Sequence, residues 1–153
     1  MDDSAKKPFM PAPFMPADVF GRSLAGFGVN ILVSDVAATL AFLKEVLTVA
    51  VVHADADFAV CRYEGRQWLL HSDASYHSNP LLALTGDGAI RGAGLELRLY
   101  GVDPDTAAAR AEALGFTVLQ APADKPHGLR EAYIVGPDGY VWVPSVHSKV
   151  VRG

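Results

Sequence analysis

One strand–helix unit occurs twice in this chain, and the repeat restricts the fold more than any other feature. Between residues 94 and 102, leucines alternate with polar side chains, and this period of two predicts a β-strand with one apolar face. Asp103 then supplies an N-cap, and Gly115 ends the predicted helix. The same order appears earlier, where a strand over residues 26–35 leads into a helix.

Three short strands are predicted after each helix, so that both halves of the chain have the order βαβββ. The strands are expected at residues 49–52, 58–63 and 66–71 in the first half, and at 116–120, 130–135 and 140–143 in the second, where Pro144 ends the last one. Ser34 or Asp35 caps the first helix. The spacing along the sequence between the two helix caps, Asp35 and Asp103, is nearly the same as that between the two helix ends, Leu47 and Leu114. Because one such unit is too small to bury a core, two are expected to pair.

The repeat divides the chain into five predicted segments. They are an extended, proline-rich N-terminal arm at residues 1–24, a first βαβββ module at 25–72, a linker or lid loop at 73–93, a second module at 94–147 and a C-terminal tail at 148–153. In the arm, residues 8–12 are followed at once by an identical copy at 13–17, and proline at this density favours an extended chain. The arm is either a disordered tail or a segment whose Phe–Met pairs pack on the chain itself or on a partner. We predict packing, because these side chains are costly to leave in water.

The composition excludes several classes of function. The net charge is −4 and no basic stripe occurs, which disfavours binding to nucleic acid. The single cysteine, Cys61, cannot form an intrachain disulfide, which fits a reducing compartment. No apolar run reaches the ~18 residues that a membrane span needs, and the N-terminus has no secretory signal. We therefore expect a cytoplasmic protein with neither a membrane nor a nucleic-acid partner.

Motifs at the start of the first helix and near the end of the chain add a family resemblance. Val33-Ser34-Asp35, Gly128–Glu131 and Gly136–Trp142 are similar to motifs of the vicinal-oxygen-chelate superfamily, which includes glyoxalase I, bleomycin-resistance proteins and extradiol dioxygenases. The resemblance covers roughly residues 25–147, and Gly136 stands where the superfamily usually has an aspartate. It implies an α+β fold in which two tandem βαβββ modules form a curved, mostly antiparallel sheet around a cleft. It also implies a homodimer.

The resemblance places four positions at which metal-dependent members of the superfamily carry ligands. In this sequence they are Gly28, Leu69, Glu96 and Val143, and only Glu96 has a side chain that binds metals. His71 lies two residues past Leu69 on the same strand face and is a second candidate. A divalent metal in such a site needs about three protein ligands. We therefore expect no cofactor, with a divalent metal as the alternative.

The cleft implied by the resemblance lies on the strand faces opposite the helices. The expected ligand-binding residues are Asn30, Leu69, His71, Glu96, Arg98, Tyr100 and Val143. A mostly apolar cleft with a few polar groups suits a small, partly aromatic compound, and we expect such a compound to bind without a metal. One alternative is a glyoxalase-like lyase or isomerase, or a dioxygenase-like enzyme, in which Glu96 is the base or a metal ligand and His71 assists. Another is a protein-interaction module that uses the N-terminal arm.

Two effects on the carboxyl group of Glu96 oppose each other. Apolar neighbours such as Val143 and Leu69 would raise its pKa and make it a usable base. Arg98, two residues along the strand, would instead favour the charged form. Because neither Glu96 nor Arg98 belongs to the leucine face, Glu96→Gln and Arg98→Met are expected to leave the fold intact.

Four other residues are expected to be structural or exposed. His53 precedes two aspartates in a predicted turn and is expected at the surface. Trp68 and Trp142 occupy matching positions on the last strand of each module, where core packing is expected. Cys61 has no neighbouring base in the sequence and is expected to pack as a small apolar side chain.

Overall fold

A computed structural model describes residues 14–75 and 79–149, in which it places three α-helices and eight strands. In chain order they are α1 (Ala17–Ser23), β1 (Asn30–Val33), α2 (Val36–Leu47), β2 (Ala50–Ala54), β3 (Phe58–Tyr63), β4 (Arg66–Ser72), β5 (Glu96–Tyr100), α3 (Pro104–Ala113), β6 (Thr117–Asp124), β7 (Leu129–Val135) and β8 (Val141–His147). Short 3-10 helices occupy Asp73–Ser75, Pro80–Ala83 and Pro137–Gly139. None of the helices in these residues has both the length and the apolar character of a membrane span.

The strands form two four-stranded sheets with the same topology. The N-terminal sheet has the order β1-β4-β3-β2, and the C-terminal sheet has the order β5-β8-β7-β6. In each sheet the first strand of the module is parallel to the last, and the other neighbours are antiparallel. This topology confirms the predicted α+β class and the two tandem βαβββ modules with mostly antiparallel pairing.

Equivalent aspartates begin the helices of the two modules, as predicted. A side-chain oxygen of Asp35 accepts a hydrogen bond from the backbone N–H of Ala38 at 3.0 Å, and one of Asp103 accepts from the N–H of Thr106 at 2.9 Å. Each bond satisfies a donor that a helix N-terminus otherwise leaves unpaired. The apolar face of the strand that precedes α3 is confirmed at Leu97 and Leu99, which pack in the core, whereas Leu95 precedes β5 and is 48% exposed.

A hydrophobic core joins the two modules through the sheet faces that carry the helices. The ring centroid of Phe42 on α2 lies 4.8 Å from that of Phe116 and 6.5 Å from that of Trp142. The predicted core packing is confirmed for Trp142, which is buried, and Trp68 packs against the core beside it, with ring centroids 5.9 Å apart. A Cβ atom at Gly136 would lie 2.8 Å from the Phe42 ring, so the aspartate that the family resemblance leads one to expect has no room here.

The loop between the modules is anchored by Arg91. Its guanidinium donates to both carboxylate oxygens of Asp73 at 2.8 Å, and to the carbonyl oxygens of Leu32 and Thr85 at 3.3 Å. Tyr140 of the second module also donates to the Leu32 carbonyl, at 2.7 Å. The loop and both modules therefore meet at one backbone carbonyl group.

The prediction that the N-terminal arm is extended as far as residue 24 is wrong, because Ala17–Ser23 forms helix α1. The proline-rich composition ends at Pro16, which occupies the N-cap position. Asp18 in the first turn and Arg22 in the last complement the helix dipole, which favours a helix over an extended chain. The first copy of the five-residue repeat, at 8–12, lies outside the described residues.

The prediction that Pro144 ends the last strand is also wrong, because β8 continues to His147. The register of β7 and β8 pairs Glu131 with Ser145 and then Ile134 with Trp142, so the pairing is interrupted beside Pro144. Proline has no N–H to donate to a neighbouring strand. Because the hydrogen bonding between β7 and β8 is interrupted at this position, the strand can continue through Pro144.

Candidate ligand-binding site

Each sheet carries a helix on one face, and the predicted ligand-binding residues lie on the opposite face, which we call the open face. Residues paired across parallel strands, or two apart along one strand, share a face. The predicted residues form two groups: Asn30, Leu69 and His71 on the N-terminal sheet, and Glu96, Arg98, Tyr100 and Val143 on the C-terminal sheet. The seven residues that the sequence assigns to one cleft therefore lie on two separate sheets.

Arg98 lies at the centre of the polar group on the C-terminal open face. Its Nη1 donates to Oε2 of Glu96 at 2.8 Å, and its Nη2 donates to Oε2 of Glu131. Its guanidinium carbon is 5.6 Å from the ring centroid of Tyr100, a cation–π contact. The hydroxyl of Tyr133 donates to the other oxygen of Glu96 at 2.7 Å.

Glu131 is a member of this group that is not among the predicted ligand-binding residues. Its side chain is buried, with 2% of the residue exposed, and its carboxylate is bonded to Arg98. Nε2 of His127 lies 3.5 Å from the same carboxylate. The adjacent residue Arg130 is on the other face and pairs with Asp105 at 2.7 Å. Only the register of β7 within the sheet shows which of the two neighbours reaches the open face.

The contacts of Glu96 show which of the two opposing effects on the pKa of its carboxyl group is larger. The pKa of Glu96 is lowered, first by the hydrogen bond from Tyr133 and then by the one from Arg98. The carboxylate is therefore ionised at neutral pH. The bond to Glu96 also raises the pKa of Tyr133, so the phenol keeps its proton and acts as a donor. An ionised, hydrogen-bonded carboxylate is suited to orient a donor on a ligand rather than to remove a proton.

His71 and Asn30 form the polar part of the N-terminal open face. Nδ1 of His71 lies 2.7 Å from Oδ1 of Asn30. Because an amide oxygen only accepts hydrogen bonds, this contact places the proton of the imidazole on Nδ1. Burial lowers the pKa of His71, so the ring is neutral at pH 7. A neutral imidazole held in this way can recognise a polar group on a ligand.

His71 also lines a pocket with several aromatic rings, which we call the aromatic pocket. The pocket has a volume of about 510 Å³, and its walls include Phe14, Phe20, His53, Phe58, Leu69 and His71. The ring of Phe14 stacks on His53, with centroids 4.4 Å apart and an interplanar angle of 17°. The ring of Phe58 lies 4.8 Å from that of His71. A pocket of this size, with apolar walls and a few polar groups, is typical of small-molecule sites.

His53 and Phe14 are contributors to the pocket that the sequence did not identify. The prediction that His53 is exposed in a turn is wrong, because it lies in β2 beneath the ring of Phe14, with 13% of its side chain exposed. Phe14 belongs to the second copy of the repeat, and its contact with His53 shows that this copy packs on the chain itself. A contact between residues so far apart in the chain leaves no local signal in the sequence.

The side chains at the superfamily's metal-ligand positions do not fit a metal centre. Gly28, Leu69 and Val143 offer no ligating atom, and both oxygens of Glu96 already accept hydrogen bonds. Within the described part of the chain, no three His, Cys, Asp or Glu side chains form a group that could hold a metal ion. The thiol of Cys61 is buried in the core, and this burial raises its pKa to about 12. The sulfur is therefore a thiol and not a thiolate. Binding without a metal stays a prediction.

Solved structures share this fold at low sequence identity. A glyoxalase-related enzyme from Fulvimarina pelagi aligns with a TM-score of 0.63 and 18% identity, over 81% of this chain and 89% of that one. A glyoxalase/bleomycin resistance protein/dioxygenase from Nocardioides aligns with a TM-score of 0.60 and 20% identity, over 88% and 95%. A glyoxalase/bleomycin resistance protein/dioxygenase family enzyme from Burkholderia phytofirmans PsJN aligns with a TM-score of 0.63 and 20% identity, over 78% and 96%. No family model and no curated protein matches the sequence.

Proposed function

Because this chain has the fold of the vicinal-oxygen-chelate superfamily, we propose that it binds a small, partly aromatic compound without a metal. The aromatic pocket carries the proposal, since its volume of about 510 Å³ is lined by several rings and by His71, whose Nδ1 is hydrogen-bonded to Asn30. A flat ring system fits between such walls, and a hydroxyl or carbonyl group on it can bond to the polar pair.

The C-terminal open face supplies a second and more polar binding surface. Two carboxylates, Glu96 and Glu131, flank the single guanidinium of Arg98, so this group carries a net negative charge. A surface of this charge favours an amine or hydroxyl donor on the ligand over a carboxylate. Tyr100, which is 59% exposed, adds apolar area beside it, whereas Val143 is fully buried behind this surface. Glu96 takes the role of orienting the donor.

A homodimer is part of the proposal. Within one chain the helix-bearing faces of both sheets share a core, so the two open faces point away from that core. A cleft lined by both open faces would therefore need a second copy of the chain. Light scattering of the purified protein should give about twice the 16.3 kDa mass of one chain, and the mass of a single chain would contradict the dimer.

The alternative functions draw less support from the geometry. A glyoxalase-like lyase or isomerase, or a dioxygenase-like enzyme, would use Glu96 as base or metal ligand. The lowered pKa of Glu96 and the hydrogen bonds to both of its oxygens suit neither role. An interaction module needs the N-terminal arm free for a partner, whereas Phe14 and Phe20 contact rings of their own chain.

Titration with p-nitrophenol tests the proposed function, because the visible absorbance of this phenol changes when it leaves water. We expect saturable binding to the wild type. The substitution His71→Phe keeps an aromatic wall but removes the hydrogen bond to the hydroxyl, so it should weaken binding about five- to tenfold. Nitrobenzene lacks the hydroxyl and should bind the wild type and His71→Phe alike.

His147→Phe is the matched control, because it changes an exposed histidine on the other sheet and should leave the affinity for p-nitrophenol unchanged. Absence of saturable binding to p-nitrophenol, 2-naphthol and indole would contradict the proposed function. Elemental analysis of protein purified without chelator should find no stoichiometric zinc, iron, manganese or nickel. One equivalent of any of these metals, lost on Glu96→Gln, would show that binding without a metal is wrong.

A further inference from the structure

The N-terminal segment, residues 14–23, is attached to the open face of the N-terminal sheet by two aromatic rings. Phe14 and Phe20 are half-buried, and every other residue of the segment is exposed. Phe14 stacks on His53, and the ring of Phe20 meets that of Phe58 edge-on, with centroids 5.9 Å apart at 71°. Helix α1 buries none of its residues. The segment is therefore held mainly by the two rings Phe14 and Phe20, and Phe20 is the residue through which helix α1 contacts the sheet.

The segment forms part of the pocket wall without filling the pocket. A volume of about 510 Å³ remains between Phe14 and Phe20 of the segment and the sheet residues Phe58, Leu69 and His71. The two rings of the segment also touch each other, with centroids 5.1 Å apart. An aromatic compound in this space would contact the segment and the sheet at the same time.

We infer that Phe14 and Phe20 are ligand-binding residues and that residues 14–23 form a movable wall of the aromatic pocket. This inference rests on the proposed function of the pocket. A compound that contacts both the segment and the sheet stabilises the docked segment, and the docked segment raises the affinity for the compound by the same factor. In the sequence, Pro13 precedes Phe14 and Pro16 follows Met15. Proline restricts the backbone, so the segment loses less conformational entropy when it docks.

The first test compares three phenylalanine variants in the p-nitrophenol titration. Phe14→Ala and Phe20→Ala should each weaken binding about five- to tenfold, because each removes an aromatic contact with the probe and loosens the wall. Phe27→Ala is the matched control, since it removes an identical ring that is 94% exposed and lies outside the aromatic pocket. Its affinity for p-nitrophenol should equal that of the wild type.

The second test measures docking of the segment by trypsin cleavage after Arg22, the only basic residue between positions 14 and 23. Saturating p-nitrophenol should slow this cleavage several-fold in the wild type and in Phe27→Ala. The slowing should disappear in Phe14→Ala and Phe20→Ala. Without the probe, both of these variants should be cleaved faster than the wild type, because one of the two docking rings is missing.

The outcomes separate this inference from the proposed function. Wild-type protein that binds none of the aromatic probes would overturn both. Wild-type protein that binds p-nitrophenol while Phe14→Ala and Phe20→Ala bind it equally well would overturn the inference alone. Cleavage after Arg22 at one rate with and without bound p-nitrophenol would also overturn it.

Discussion

Replacing Arg98 by methionine is expected to lower the free energy of unfolding by about 3–5 kcal/mol, the usual cost of removing one partner of a buried ion pair. The carboxylate of Glu131 is bonded to Arg98, and only 2% of Glu131 is exposed. Without the guanidinium, the partner left to this charge among the described residues is the imidazole of His127, 3.5 Å away on a side chain that is 56% exposed. Methionine replaces much of the aliphatic stem of Arg98. The loss of stability is therefore caused more by the unpaired charge of Glu131 than by lost packing. Urea denaturation followed by tryptophan fluorescence measures the change.

Glu96→Gln is the matched control for this substitution. Glu96 also pairs with Arg98, but its side chain is 44% exposed, so its removal should cost less than about 1 kcal/mol. Combining Arg98→Met with Glu131→Gln should recover part of the lost stability, because the second change removes the unpaired charge. An Arg98→Met protein as stable as Glu96→Gln would contradict the assignment of Arg98 as the partner that stabilises Glu131.

The modular fold could be predicted because its signals are local. An aspartate followed by a helical pattern predicts an N-cap, and Asp35 and Asp103 both make the predicted bond to the backbone three residues on. The alternation around Leu99 predicts a strand with one buried face in the same way. Because each signal spans only a few residues, the similar spacing of two sets is enough to recognise a duplicated unit.

The interior of the candidate site depends on contacts that are not local. The sequence leads to the expectation that Arg98→Met leaves the fold intact, since Arg98 lies outside the leucine face. That expectation changes once the pairing of β8 with both β5 and β7 places Glu131 beside Arg98. No local pattern shows that β8 lies between β5 and β7, so the sequence alone does not bring Glu131 to Arg98.

The position of the N-terminal segment could not be predicted for a related reason. Proline content indicates that residues near Phe14 are restricted, but it does not indicate which surface they meet. The surface is formed by His53 and Phe58, whose rings are aligned only when β2 and β3 pair. The sequence therefore does not show that these aromatic side chains converge on one pocket.

Arg91→Met is expected to lower the free energy of unfolding by about 2–4 kcal/mol. The side chain of Arg91 is 7% exposed and donates to two oxygens of Asp73 and to two backbone carbonyls. Methionine would leave the carbonyl of Thr85 without this donor, whereas the carbonyl of Leu32 keeps the hydroxyl of Tyr140. The side chain of Asp73 is 33% exposed, so water can solvate part of its charge, which places the expected loss below that of Arg98→Met.

Arg110→Met, on the exposed surface of α3, is the control for Arg91→Met and should change stability by less than about 0.5 kcal/mol. Urea denaturation compares the two variants. A second measurement reports the loop itself, because Leu84 is 74% exposed and is a site for chymotrypsin. Loss of the Arg91 anchor should let the loop open more often, so cleavage after Leu84 should become faster in Arg91→Met and stay unchanged in Arg110→Met. Equal stability and equal cleavage in the two variants would show that Arg91 does not hold the loop against the first module.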